Sequence, residues 1–241
     1  MSELKLAGLR VHLNQTSVSN GSSMKAAVVL LHGFGAPGND LVSLGDVLAV
    51  PEGTGIFFPE GPLELETILG PHYGGARAWW PIDMAELQSA MLQGQVARAA
   101  EGLADGLEQA RNRIISLLDE LQAKFGLDSS KIVIGGFSQG AVACLDVALR
   151  DSRKFAGLLL MSGTMVSRDS VAELAPRSKC LPALISHGVT DPVLPYSIAE
   201  SLRDQLKIAG WKVSWVSFFG GHGIPPEVIR AASALLPEWL S

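Results

Sequence analysis

Short, unbroken apolar runs alternate along the chain with longer stretches in which apolar residues recur every three or four positions. The runs at residues 26–31, 54–58, 132–134, 155–161 and 181–186, with the segment 212–218, predict strands of a mostly parallel sheet buried on both faces. Residues 9–13 alternate instead, as a half-buried strand does, and the polar cluster at 15–23 reads as a turn, so the chain is expected to enter through an edge hairpin. Leu103, Leu107, Ala110, Ile114, Leu117, Leu121 and Phe125 mark the clearest amphipathic helix. Its opposite face, with Glu108, Arg111, Asp119, Glu120 and Lys124, reads as solvated surface, and Gly126 ends it. Further helices are expected from Asn39 or Asp40 to about Leu48, over 84–93 with a break near Gly94, over 196–209 up to Gly210, and from Pro225 to about Trp239. Strands alternating with helices place the chain in the α/β class, and 241 residues fit one large domain, 1–241, better than two small ones.

One stretch breaks the rhythm. Between residues 59 and 96 the chain makes a long excursion punctuated by Pro59, Gly61, Pro62, Gly70, Pro71, Gly74, Gly75 and Pro81, and it carries His72, Tyr73, Arg77, Trp79 and Trp80. Loops of this length in a compact domain are commonly functional, and the aromatic content argues against disorder, so the excursion is expected to form a substrate-pocket wall or a lid. Trp79 and Trp80 have another use open to them, pinning the loop to the core. Aromatics exposed around Trp79 would also suit a contact between the subunits of a homodimer.

Composition narrows the function. With 47% hydrophobic and 18% charged residues the chain is not disordered, and a net charge of −5 gives no electrostatic reason to expect nucleic acid. A small or lipid-like substrate is the expectation. The first residues lack a basic region followed by a long apolar core, and no apolar run approaches the 18 or so residues of a membrane span, so neither a secretory signal nor integral membrane association is expected. Two cysteines, Cys144 and Cys180, suit a reducing, cytoplasmic setting and offer no metal-ligand spacing. Cys144, in the stretch after residue 138, reads as core filler.

The chemistry is concentrated where the run at 132–134 breaks into Gly135-Gly136-Phe137-Ser138-Gln139-Gly140. Strand, sharp turn and helix would present Ser138 as a nucleophile, with Gly136 and Gly140 bare so that strand and helix can pass closely. The Gln139 N–H, unpaired in the first helical turn, could bind an oxyanion. A chance Gly-x-Ser-x-Gly is expected roughly 0.2 to 0.3 times in such a chain, so context must decide. His32-Gly33-Phe34-Gly35 after the strand at 26–31 can supply a second oxyanion donor, the Phe34 N–H. Asp191 follows the strand at 181–186 in a rigid loop, and His222, between glycines after the strand at 212–218, has nothing local to pack against. The order Ser138, Asp191, His222 is nucleophile, acid, base, each in a loop after a strand. His187 is a competing base, but it closes a strand and reads as structural, as does His32; His12 and His72 lack such a setting.

These motifs also carry a resemblance. Leu31-His32-Gly33-Phe34-Gly35, Gly135-Gly136-Phe137-Ser138-Gln139-Gly140, His187-Gly188-Val189-Thr190-Asp191-Pro192-Val193-Leu194-Pro195 and Gly221-His222 resemble the successive motifs of the phospholipase/carboxylesterase family of small α/β-hydrolases, which includes bacterial carboxylesterases and acyl-protein thioesterases. The resemblance implies the α/β-hydrolase fold, a mostly parallel central sheet with helices on both faces. It also implies a Ser138, Asp191, His222 triad, an oxyanion hole from the Phe34 and Gln139 amides, and ester hydrolysis without metal or cofactor. Trp79, Trp80 and Leu194 are the candidate walls of the substrate pocket. The chain departs from the thioesterase branch at Ala36-Pro37-Gly38, at Gly223, in the extra proline of Trp79-Trp80-Pro81-Ile82-Asp83, and in the length between Asp83 and Gly135. The expectation is therefore a carboxylesterase of bacterial type acting on short to medium acyl esters, with a thioesterase or lysophospholipase as the alternative and a hydrolase-fold binding protein as a remote one.

Overall fold

The computed structural model of the protein describes residues 1–15, 23–93, 95, 105–165, 168–178 and 180–241. Most of the expected turn at 15–23, the break at Gly94, Leu103 and the end of the excursion near residue 96 lie outside the described residues.

Apolar runs become strands because each must bury two faces. In β3 (Ala26–Leu31), Ala27, Val29 and Leu31 belong to one core cluster and Ala26, Val28 and Leu30 to a second on the other side of the sheet. The same split divides β7 (Ile132–Phe137), with Ile132 and Ile134 on one face and Val133 on the other, and β8 (Gly157–Met161), with Leu158 and Leu160 opposed to Leu159 and Met161. Among the described residues, eight strands form one sheet in the order β1-β2-β4-β3-β7-β8-β9-β10. The others are β1 (Ser2–Leu6), β2 (Leu9–Asn14), β4 (Thr54–Pro59), β9 (Pro182–Gly188) and β10 (Lys212–Phe218). From β4 to β10 neighbours are parallel, while β1 and β2 add an antiparallel edge. A separate pair, β5 (Leu63–Glu64) with β6 (Arg77–Ala78), lies in the excursion with the short helix α1 (Leu65–Leu69).

Helices cover both faces. Against the first pack α3 (Leu107–Phe125), α4 (Gln139–Arg150) and α6 (Tyr196–Ile208), through residues such as Leu117, Leu121, Leu145, Leu202 and Leu206. Against the second packs α7 (Pro226–Leu240), through Val228, Ala232, Leu236 and Leu240. The shorter α2 (Met84–Leu92) and α5 (Arg168–Leu174) complete the described helices of eight-strand topology. α3 ends where expected, at Gly126 with φ 67°, a left-handed backbone that glycine adopts without strain. This arrangement is the α/β-hydrolase fold.

Three local expectations are corrected. The helix from 39 to 48 is a 3-10 turn, Val42–Asp46, without a side-chain cap; Gly45 within it passes so close to Asn14 that a Cβ there would lie 2.7 Å from the amide nitrogen. The entry hairpin is β1-β2, turning at Ala7 and Gly8, which both have positive φ; its first strand is mostly exposed and so carries little apolar signal. Arg111 is not simply solvated, because its guanidinium reaches Asp146 of α4 at 2.7 Å. Cys144 is buried in α4, while Cys180, just before β9, is exposed. No described helix is long and apolar enough to cross a membrane.

Candidate active site

Ser138 sits between the end of β7 and the start of α4 with φ 52° and ψ −117°, a backbone conformation that a side-chain-bearing residue rarely adopts. The turn is enforced by contact on both sides. A Cβ at Gly136 would stand 2.5 Å from the Gly140 carbonyl carbon, and one at Gly140 would stand 2.1 Å from Leu31 O. Only bare glycines let β7, α4 and the end of β3 approach this closely. The Ser138 N–H donates to Met161 O at 2.9 Å, tying the turn to the next strand.

Asp191 follows β9 and is held from several directions. Its Oδ1 accepts from the Val193 and Leu194 amides at 2.8 and 2.9 Å, and its Oδ2 lies 2.7 Å from His222 Nδ1 and 3.3 Å from His187 Nε2. Burial alone would push the carboxyl pKa up, but the His222 hydrogen bond, the Leu194 amide, the His222 charge and the Val193 amide outweigh it and hold it below the usual value. The carboxylate is therefore an acceptor, so His222 Nδ1 carries the hydrogen of that contact, and the other ring nitrogen of the neutral tautomer, Nε2, is the acceptor. The His222 ring packs on Phe137, 4.8 Å between centroids. Ser162, after β8, is a second serine with positive φ, 46°, and its hydroxyl donates to Gly223 O at 3.0 Å, fixing the residue beside His222. The sequence marks Ser162-Gly163 as a turn after the strand, but not the hydroxyl's contact with Gly223, which lies far along the chain.

His187, His32 and His12 are each engaged within the fold, and His72 is exposed. His187 is fully buried, its Nε2–H pointing to Leu194 O at 2.9 Å, and burial lowers its pKa. His32 accepts the Gly61 N–H at Nε2 and donates from Nδ1 to Gly33 O, both at 2.8 Å, with its pKa likewise lowered by burial. His12 is paired with the buried Glu60 at 2.9 Å. Among the described residues no group of three or more His, Cys, Asp or Glu is placed to hold a metal ion.

A cavity of about 190 Å³ brings Phe34, Ser138, Gln139 and His222 together. Its walls are mostly apolar: Ile82, Met84 and Leu87 come from the excursion and the first turns of α2, Val193 and Leu194 from the Asp191 loop. Leu194, a candidate pocket wall from the sequence, is among the residues lining it. Trp79 and Trp80 do not line this cavity; both are core residues, 2% and 1% exposed, which also leaves them no surface for a lid or a homodimer contact. They work from behind the site. The Trp79 indole donates to His32 O at 3.0 Å, its backbone N–H donates to the Gln139 side-chain oxygen at 2.9 Å, and the Gln139 amide group donates to Trp80 O at 2.8 Å. The loop after β3 is stitched to the same segment, Gly35 N to Arg77 O and Arg77 N to Ala36 O, both at 2.9 Å. Met84 and Leu87, missed in the sequence, share a helix face at three-residue spacing, a pattern identical to that of core packing.

Comparison with known proteins places this geometry in context. A family model described as Phospholipase/Carboxylesterase matches residues 13–240. The acyl-protein thioesterase 1 of Candida albicans is 31% identical over 205 residues, covering 80% of this chain and 82% of that protein. The acyl-protein thioesterase 1 of Neurospora crassa is 35% identical over 119 residues, but the match spans about half of each, 48% of this chain and 49% of that one. Among solved structures, that of esterase PE8 superposes with a TM-score of 0.78 at 26% identity, covering 98% of this chain and all of the other.

Proposed function

Because this chain belongs to the phospholipase/carboxylesterase family, we propose that it is a serine carboxylic ester hydrolase working through an acyl-enzyme. The observation that carries the reading is the 2.7 Å contact of His222 Nδ1 with Asp191 Oδ2, made by a histidine that lines the same cavity as the strained Ser138. His222 Nε2 takes the proton of Ser138 as its oxygen attacks the ester carbonyl, and the Asp191 carboxylate stabilises the imidazolium. The oxyanion falls to the Phe34 and Gln139 amides. In the loop after β3 the Gly35 and Ala36 amides are engaged by Arg77 O and Gly33 O, and Phe34 takes no part in those bonds. The imidazolium then protonates the departing alcohol, water deprotonated by His222 attacks the acyl-serine, and acid and free Ser138 result. These residues suffice for each step.

Short to medium acyl esters suit the cavity. It is small, about 190 Å³, and its walls are mostly apolar. The free thiols of Cys144 and Cys180 fit a cytoplasmic setting. A thioester in place of the oxyester is the second reading, favoured by the names of the Candida and Neurospora relatives. Initial rates on p-nitrophenyl esters from acetate to palmitate, with Ser138→Ala in parallel, test the first. Hydrolysis should peak at short to medium chains and vanish in the variant. Absence of variant-sensitive hydrolysis of any ester would overturn it, and the same series on acyl thioesters decides between the readings.

A further inference from the structure

Helix α4 presents Gln139, Val142, Leu145, Asp146 and Leu149 along one face, at the three- and four-residue spacing that stacks side chains above one another. Its first turn, through Gln139 and Val142, belongs to the cavity of the nucleophile. Its later turns, through Val142, Leu145 and Leu149, belong to a second cavity of about 310 Å³ between α3, α4 and α5. Val142 is the one described residue that lines both, and it is itself 3% exposed. The second cavity has an apolar floor, completed by Leu107 and Leu174, and a charged rim in which Arg111 and Arg150 both pair with Asp146, at 2.7 and 2.8 Å.

From this we infer that Val142 is the partition that sets the acyl length. Resting on the ester-hydrolase reading, the inference is that an acyl chain bound at Ser138 runs along the α4 face until it meets the Val142 isopropyl group, and that the second cavity is the continuation that this group closes. The charged rim makes the second cavity a poor entrance for an apolar chain arriving from water, since an alkyl group would have to pass the Arg111, Asp146 and Arg150 cluster. On the nucleophile side, Val142 is the residue that the two linings share, so the apolar floor lies directly behind it. Val142 is thus a specificity-determining residue, touching the end of the chain remote from the reacting carbonyl.

Two measurements test this separately from the chemistry. On p-nitrophenyl esters, Val142→Ala should move the optimum to longer chains, raising kcat/KM about tenfold for every two methylenes newly housed, and Val142→Ile should move it to shorter ones. Leu145→Phe added to Val142→Ala narrows the second cavity without touching the first and should move the optimum back toward the wild type. In a Ser138→Ala background, equilibrium binding of hexanoate to palmitate should show the same extension on adding Val142→Ala, whether or not the wild type hydrolyses any ester. Chain-length profiles unchanged in Val142→Ala and Val142→Ile, in both assays and with folded protein by circular dichroism, would overturn the partition. So would an extension that Leu145→Phe fails to reverse. Loss of the ester reading alone would appear as fatty-acid binding that extends as stated in a protein without Ser138-dependent hydrolysis.

Discussion

Asp191 is held by two backbone amides and by His222, and the hold has a consequence for stability at low pH. Its depressed pKa means that the carboxylate stabilises the fold at all pH above the ordinary value of 3.8 and that this is lost only as pH falls through the lower folded value. His187 and His32 act in another window. Both are buried and both are lowered from 6.5, so the unfolded chain takes up protons that the folded one refuses, and stability falls as pH drops below about 6.5. Urea unfolding should therefore give a lower midpoint at pH 5.5 than at pH 7.5, and His187→Gln, which keeps a donor toward Leu194 O, should flatten the difference. For catalysis, Asp191→Asn removes the charge facing the imidazolium and should lower kcat about 10³- to 10⁴-fold, measured on the best p-nitrophenyl ester. The triad candidates could be read from sequence because glycines, order and post-strand positions coincide at Ser138, Asp191 and His222. The Ser162 hydroxyl's hold on Gly223 O could not, since that contact joins residues 61 apart in the chain.

At the scale of elements, apolar runs forecast the strands well because a parallel strand buried on both faces has no polar positions to confuse the period. β1 was invisible for the opposite reason: Ser2, Glu3 and Lys5 face solvent. The excursion shows what local pattern misses. Proline, glycine and aromatics together read as a pocket wall, and the segment does line the cavity, but through Ile82, Met84 and Leu87, whereas Trp79 and Trp80 are buried by contacts remote in sequence, with the carbonyl of His32 and the side chain of Gln139. The segment is a brace for both oxyanion candidates. Trp79→Phe should accordingly destabilise the protein by about 2 kcal/mol in urea unfolding, through a lost hydrogen bond and a partly emptied site. It should also lower kcat while leaving the acyl-length profile unchanged, because the indole does not line the cavity.

Across the whole molecule the residues of the proposed chemistry lie at one end of the sheet. Phe34, Ser138, Asp191 and His222 follow β3, β7, β9 and β10, all at the carboxyl ends of parallel strands, where this architecture leaves a crevice. The two cysteines are placed quite differently. Cys144 is inside α4, its thiol driven strongly upward in pKa by burial, and Cys180 is exposed just ahead of β9, at the amino end of the strands. A thiol reagent such as dithionitrobenzoate should therefore titrate one group in the native protein and two after denaturation, with ester hydrolysis unaffected by the first. A fluorophore or a surface tether attached through that single thiol would leave the reactive end of the protein turned toward the solution, so the native sequence already supplies an oriented handle.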